Sequence, residues 1–184
     1  GDAQLDESVS LTESVGTGIA PRFQDDGFVK PDFVKLIDAG RAADTLASPR
    51  SAKEYGAAAT GANAFEAPES LTMAAGRLAE NDVLRTLGSG VYVSNLHYLN
   101  YSDRLACRMT GMTRFACFAV RGGELAAPIG VMRFDDSFLR MFGDGLVALT
   151  ANAELSPDAG TYMSRALASV TAPGAIVEGF RLTL

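Results

Sequence analysis

Residues 90–136, GVYVSNLHYLNYSDRLACRMTGMTRFACFAVRGGELAAPIGVMRFDD, constrain the fold of this chain more than any other stretch. The β-formers Val91, Tyr92, Val93 and Tyr98 dominate residues 90–99, with Ser94, Asn95 and His97 interrupting them. A second extended segment, residues 105–120, is about three times as long as a usual ~5–6 residue strand. Gly111 sits inside it, where the missing Cβ permits a bulge or bend. Arg121-Gly122-Gly123-Glu124 then reads as a tight hairpin, because a two-residue turn of the favoured hand needs positive φ at both centres. Residues 33–42 use the same device: an apolar strand reaches Asp38-Ala39-Gly40-Arg41 and returns. Asp38 is expected to face Arg41, and Arg121 to face Glu124, each exposed pair contributing only ~0–1 kcal/mol. So few positions leave a true internal duplication undecided.

Elsewhere the pattern is of short elements. Val9-Ser10-Leu11-Thr12 alternates like a strand. Gly16-Thr17-Gly18-Ile19-Ala20-Pro21 is not a phosphate loop, since no Lys-Ser/Thr follows and Pro21 opposes a helix opening. Gln24-Asp25-Asp26-Gly27 is expected to turn, with Asp26 bonding the backbone and Gly27 at positive φ. Paired carboxylates could also bind a cation or serve as acid and base. Ser48 and Pro49 predict a short helix to Tyr55, and residues 56–67 read as a loop. Residues 80–87 form the clearest helix, with Glu80 and Asp82 in its first turn and Gly88 just past its end. Val83, Leu84 and Leu87 make its apolar stripe. Asp136 is expected to cap a helix over residues 137–142, ended by Gly143. Residues 146–149 and 175–184 read as strands, and residues 152–163 as a loop. The sum is about ten short strands and two or three short helices. The expected class is β-rich α+β, with mainly antiparallel sheet(s) or an open barrel. Residues 1–184 are expected to form a single domain. Residues 1–8 are expected to be frayed or to come from a processed or engineered start.

Composition narrows function. Apolar residues make up 47% of the chain, yet none of the runs approaches the ~20 residues of a membrane-spanning helix, and no signal peptide is visible. Sixteen basic against 22 acidic side chains give a net charge of −6, which makes nucleic acid an unattractive partner. Two cysteines, Cys107 and Cys117, do not make a disulfide scaffold, so a reducing, cytoplasmic setting is expected.

His97 is the only histidine. A catalytic zinc site needs three protein ligands and an open fourth position, commonly including two histidines one helical turn apart. A mixed site of His97, Cys107 and Cys117 would lack the close Cys-x-x-Cys spacing such sites use, so no metal ligand and no catalytic residue are assigned to this chain. Substrate binding has better candidates. Strand alternation turns Arg108, Thr110, Met112 and Arg114 one way, and Cys107, Met109, Thr113 and Phe115 the other. A bulge at Gly111 would bring Thr113 to the Thr110 side. Thr110, Thr113 and Arg114 could then hold a peptide backbone or terminal carboxylate, with the guanidinium binding in bidentate fashion. Asn100 and Asp103, in the loop joining the two long segments, are candidates on the same argument. The alternative is a solvated sheet face with Arg114 in a structural ion pair. No serine has an identifiable His and acid, so a serine triad is unsupported.

Tyr92-Val93-Ser94-Asn95-Leu96, Thr110-Gly111-Met112-Thr113-Arg114, Gly123-Glu124, Ala127-Pro128-Ile129 and Met132-Arg133-Phe134, in that order and spacing, resemble the C-terminal part of the TldD/PmbA family. Its members are known as zinc-dependent peptidases and as modulators of DNA gyrase. The resemblance extends from about Ser14 to the C-terminus; it includes Asp25-Asp26-Gly27 and the segment 59–64 ahead of Pro68. It implies a hydrolase of peptides in which metal-activated water attacks a polarised carbonyl. In metal-bearing members a His-Glu-x-x-x-His helix lies upstream of the matched region, and a Cys ligand lies near the C-terminus. The corresponding place here, residues 158–165, has no cysteine, so the chain resembles more closely the metal-free PmbA (TldE-like) branch. The resemblance therefore implies zinc held outside this chain, in the full-length protein or a partner subunit. It also implies a peptide substrate and a homo- or hetero-dimer with a TldD/PmbA-like subunit. A non-catalytic peptide-binding module and a structural dimerisation domain are the alternatives of a different class.

Overall fold

The structure, a computed structural model, describes residues 4–183. In chain order the first strands are β1 (Leu11–Glu13), β2 (Val34–Asp38) and β3 (Arg41–Ala42), followed by helix α1 (Pro49–Tyr55) and β4 (Ser70–Met73). A 3₁₀ turn (Glu80–Asp82) leads into α2 (Val83–Leu87). Then come β5 (Gly90–Asp103), β6 (Arg108–Arg121), β7 (Glu124–Pro128) and β8 (Arg133–Ser137). Helix α3 (Phe138–Met141), β9 (Leu146–Pro157), β10 (Ser169–Val177) and β11 (Leu182–Thr183) complete the described chain. The expected β-rich α+β class is what is found: among the described residues there are two sheets, one mixed through the parallel pairing of β4 with β10, and neither closes into a barrel.

The chain divides into two compact units. The first comprises described residues 7–75 and 153–173. In it β1 lies between β2 and β4, antiparallel to both, and β3 returns along β2. β10 runs parallel to β4 over residues 169–171, and β9 follows in the order β3-β2-β1-β4-β10-β9. Residues 153–157 of β9 and 169–173 of β10 belong to this unit, and the rest of both strands to the second. Val9, Val15, Val34, Ala47, Ala52 and Met73 form its buried apolar core. Local chemistry fixes the pieces. Ser48 caps α1 by accepting the Ser51 N–H at 3.1 Å, Pro49 opens it and Gly56 ends it at φ 67°. At the β2–β3 turn Ala39 and Gly40 both take positive φ, 47° and 76°, as the hairpin requires. Gly27 also lies at positive φ; the turn there is closed by the Gln24 side-chain oxygen on the Asp26 N–H, whereas an Asp26 carboxylate had been the expectation. The N–H groups of Gly16 and Gly18 are used internally, on Asp32 and Ser14 carbonyls.

The second unit holds described residues 4–6, 76–152 and 174–183. Its sheet has the order β11-β8-β6-β5, with β7 also on β6. The two long strands β5 and β6 form one hairpin turning at residues 104–107, and β6 meets β8 and β7 along its other side. Phe134, 1% exposed, sits at the centre of the core with Val120, Cys117 and Leu149 and packs against the Phe180 ring at 5.1 Å. The second tight turn, Gly122-Gly123, has φ of 60° and 82° and pairs Arg121 with Glu124 as expected.

Some expectations are corrected. The segment expected to be frayed is tied down from residue 5, where Leu5 is buried, and the Asp6 N–H bonds the Phe142 carbonyl; residues 1–3 lie outside the described residues. Gly111 is not a bulge. Its register to Phe134 on β8 is regular, and the irregularities of the β5–β6 ladder fall at Tyr98–Leu99, opposite Gly111, at Phe115–Ala116, opposite Ser94, and at Ser102. Asn100 and Asp103 lie in β5, because that strand continues four residues beyond the apolar pattern. Asp136 does not cap α3. Its carboxylate binds the Arg140 side chain, at 2.7 Å to Nε and 2.6 Å to Nη2. Residues 152–157, expected to be a loop, continue β9, and the last long strand lies at residues 169–177 instead of 175–184.

Candidate functional site

Residues directly opposed in a ladder share a face. Asn100 opposes Thr110, His97 opposes Met112, and Asn95 opposes Arg114, while β8 brings Asp135 beside Thr110 and Arg133 beside Met112. One polar face of the second unit therefore carries Asn95, His97, Asn100, Thr110, Arg114, Arg133 and Asp135. The ion pair Arg108–Asp135, at 2.5 Å, marks its end. The Ser102 hydroxyl and then the Arg108 guanidinium hold the Asp135 carboxyl below the usual carboxylate range. The Thr110 hydroxyl donates to the Phe134 carbonyl at 2.8 Å and accepts from Arg133 Nε at 3.2 Å, so it orients Arg133. Asn100 is exposed, its side-chain oxygen taking the Tyr101 N–H. Thr113 lies on the other face, 1% exposed. Its hydroxyl accepts the Met132 N–H at 2.9 Å, while its own N–H donates to the Met132 carbonyl. Three of the four proposed binding residues thus share a face, and Thr113 ties down the segment beneath it.

Arg114 has a distinct setting. Its Nη1 lies 3.1 Å from Nδ1 and 3.2 Å from Nε2 of His97, and its guanidinium sits 4.6 Å from the Phe115 ring centre. The His97 ring in turn lies 4.4 Å from that of Tyr98. The aromatic residues of this cluster, Tyr98 and Phe115, are 76% and 71% exposed, and both hold positive φ, 52° and 61°. Left-handed backbone costs a bulky residue about 1–2 kcal/mol, and their own side chains recover none of it by burial. Sequence reading missed both aromatics, because nothing in their identity signals positive φ.

The metal donors do not converge. A guanidinium against His97 opposes a dication there, and Cys107 and Cys117 are ten residues apart along an extended segment, roughly 30 Å. Cys117 is buried and its thiol donates to the Arg114 carbonyl. Among the described residues no three His, Cys, Asp or Glu side chains cluster as a metal site would need. The residues present do not fit zinc.

The first unit has a separate polar centre. The buried Glu13 carboxylate accepts the N–H groups of Glu69 and Ser70, and Lys30 pairs with Glu69. The space beside them is about 10 Å³, room for a water and no more. In the loop that follows, the Thr60 hydroxyl and Asn63 amide are spent on the backbone of residues 47, 65 and 67. An open groove of about 410 Å³ lies between Pro68, Leu71, Pro157, Asp158, Ala168 and Val170.

The sequence profile of the PmbA/TldA metallopeptidase C-terminal domain matches residues 1–184. The chain belongs to the PmbA/TldD family. Among solved structures this PmbA/TldD domain is similar to TldE from Thermococcus kodakarensis, with TM-score 0.81, 14% identity, and coverage of 100% of this chain and 41% of that one. It is also similar to a Thermotoga maritima protein named as a modulator of a DNA gyrase, with TM-score 0.76, 16% identity, and coverage of 97% and 40%. A Bacteroides thetaiotaomicron protein named likewise gives TM-score 0.74, 16% identity, and coverage of 99% and 38%. None of the curated proteins matches the domain. It spans about 40% of the length of these solved relatives. None of its described helices is long and apolar enough to cross a membrane.

Proposed function

We propose that this PmbA/TldD domain forms one wall of a peptide cleft in a metallopeptidase, or in the metal-free partner subunit of one, with zinc held outside these residues. The observation that carries this reading is the free side of β5: among the described residues no strand pairs with its outer edge over fourteen residues. Such an edge offers main-chain donors and acceptors to an extended peptide regardless of its sequence. Arg114 and Asn100, on the adjoining face, contact the bound chain, while Thr110 and Thr113 hold Arg133 and Met132 in place. The lack of a cysteine in residues 158–165 and the likeness to TldE support the metal-free branch. In this reading the substrate is a peptide, the partner a second TldD/PmbA-like subunit, and the setting cytoplasmic.

The test uses the full-length parent. Its zinc content and its cleavage of an unstructured peptide are measured alone and after mixing with a metal-bearing family subunit, with and without chelator. Zinc-dependent cleavage in either arm is expected. Cleavage in neither arm, or cleavage by residues 1–184 alone, sinks the proposal. The same free edge favours a second reading, a structural dimer built by edge pairing. A dimer of this chain in light scattering, with no peptide bound, would select it.

A further inference from the structure

We propose that the β5 edge selects acidic peptides, seating a carboxylate of the added strand on Arg114. The inference rests on the peptide-cleft reading and adds a charge preference to it.

Charge points this way first. Residues 90–121 carry four arginines and one aspartate, a net +3 within a chain of net −6. Arg108 is matched by Asp135, but among the described residues no carboxylate lies within ion-pair distance of Arg114. Its guanidinium is held instead by His97 and Phe115, which leave its remaining donors unmet by any carboxylate and fix its position over β5. A third strand added beside β5 would lie about 10 Å from β6, two strand spacings. Arg114 already leans across one of those spacings to reach His97, so an acidic side chain on the added strand covers the remainder. Bidentate pairing then suits a planar carboxylate.

The edge is lightly guarded. Sheet edges in soluble proteins are blunted by lysine, proline, inward charge or bulges. β5 has no lysine, proline or charged residue before Asp103; its bulges, at Tyr98–Leu99 and Ser102, leave residues 90–97 regular along the outer side, and it exposes Val91, Tyr92, Leu96, Tyr98, Leu99 and Tyr101. Two left-handed aromatics, one in a bulge of each strand, flank the arginine; Phe115 packs on its guanidinium and Tyr98 on His97, while both rings stay largely exposed. Arginine beside exposed rings also suits single-stranded nucleic acid. A free ladder of alternating N–H and C=O groups, however, matches a polypeptide main chain, which nucleic acid does not offer.

The experiment is fluorescence polarisation of dye-labelled peptides of about ten residues, the length of a long strand, against residues 1–184. Three peptides share alternating threonine and differ in the other positions: Glu, Gln or Lys. The acidic peptide is expected to bind about tenfold more tightly than the neutral one at low ionic strength, with the preference falling as salt rises. Arg114→Gln should bring the acidic and neutral peptides to within about twofold of each other, with circular dichroism confirming the fold. N-methylation of alternate acidic-peptide amides should abolish binding. Equal binding of all three peptides overturns the charge preference and leaves the cleft reading standing; no binding by any peptide overturns both. An unaffected N-methylated peptide, tighter binding of oligothymidylate, or self-association that blocks the acidic peptide each overturns the proposal.

Discussion

Single side chains carry much of the order in the second unit. Gly111 does so by having no side chain: a Cβ built there would lie 2.7 Å from Phe134 Cε1, 2.8 Å from Leu99 Cδ2 and 3.0 Å from the His97 carbonyl. Phe134 is fully buried and the carbonyl is main chain, so neither yields easily. Gly111→Ala should cost about 1–3 kcal/mol, read as a lower urea midpoint at unchanged slope. Asp136 is the opposite case, a buried charge that is needed. Burial works against its ionisation, and is outweighed by the Arg140 guanidinium, the Ser137 N–H and the Arg181 N–H, so its pKa lies below the usual carboxylate range. A pKa lowered on folding adds stability that is fully present above the unfolded value of about 4 and is lost as pH falls through the folded value. Asp136→Asn leaves Arg140 without a carboxylate, its Nη1 still on the Glu178 carbonyl at 2.8 Å. Because that side chain keeps 33% exposure, the loss should fall at the lower end for a broken buried pair, about 3 kcal/mol. Denaturation from pH 7 to 2 should show the variant less stable at neutral pH and converging on the parent in acid. A loss that stayed constant across that range would assign it to packing instead of charge.

Among the elements, the two tight hairpins compare most directly. They share a turn geometry, yet the first places Ala39 where the second has Gly122, and a Cβ at φ 47° is strained. Asparagine tolerates that conformation and is the favoured first residue of such turns, so Ala39→Asn should raise stability by about 0.5–1 kcal/mol. A thermal midpoint shift of about 1–4 °C upward is the expected reading for a chain of this size; a downward shift would contradict the turn assignment. These hairpins and the capped helix α1 were legible because each is decided by residues within a few positions of one another. β9 and β10 were not. Asn152-Ala153-Glu154-Leu155-Ser156-Pro157 is polar and exposed, and Pro173-Gly174 falls inside β10, yet both segments are strands because of what pairs with them. The Gly174 N–H is taken by the Thr150 side chain and residues 169–171 by β4, far away in sequence. The candidate face shows the same division. Period-two alternation placed Thr110 and Arg114 together correctly, but the bulges sit at Tyr98, Ser102 and Phe115, which no glycine marks, so Thr113 falls on the buried side.

For the molecule as a whole, the question of where the chemistry resides becomes a question about zinc. One histidine and two cysteines are dispersed along a single hairpin, and the histidine faces a guanidinium. A ligand present at about a thousand times its dissociation constant stabilises the folded state by about 4 kcal/mol. At about 2–4 °C per kcal/mol for a chain of this size, a tight zinc site would raise the melting temperature by roughly 8–16 °C. Residues 1–184 should instead melt within about 1 °C of the same temperature with chelator or with equimolar zinc, and retain no metal after dialysis. Stoichiometric zinc with a shift in that range would require the donors to come together in a way the β5–β6 ladder does not allow. His97→Ala and Cys117→Ser would then separate specific ligation from adventitious binding, since only ligation makes the shift vanish in both variants. With no shift, any zinc found in the full-length parent must be held by residues outside this domain, and metal analysis of parent and domain side by side would assign it there.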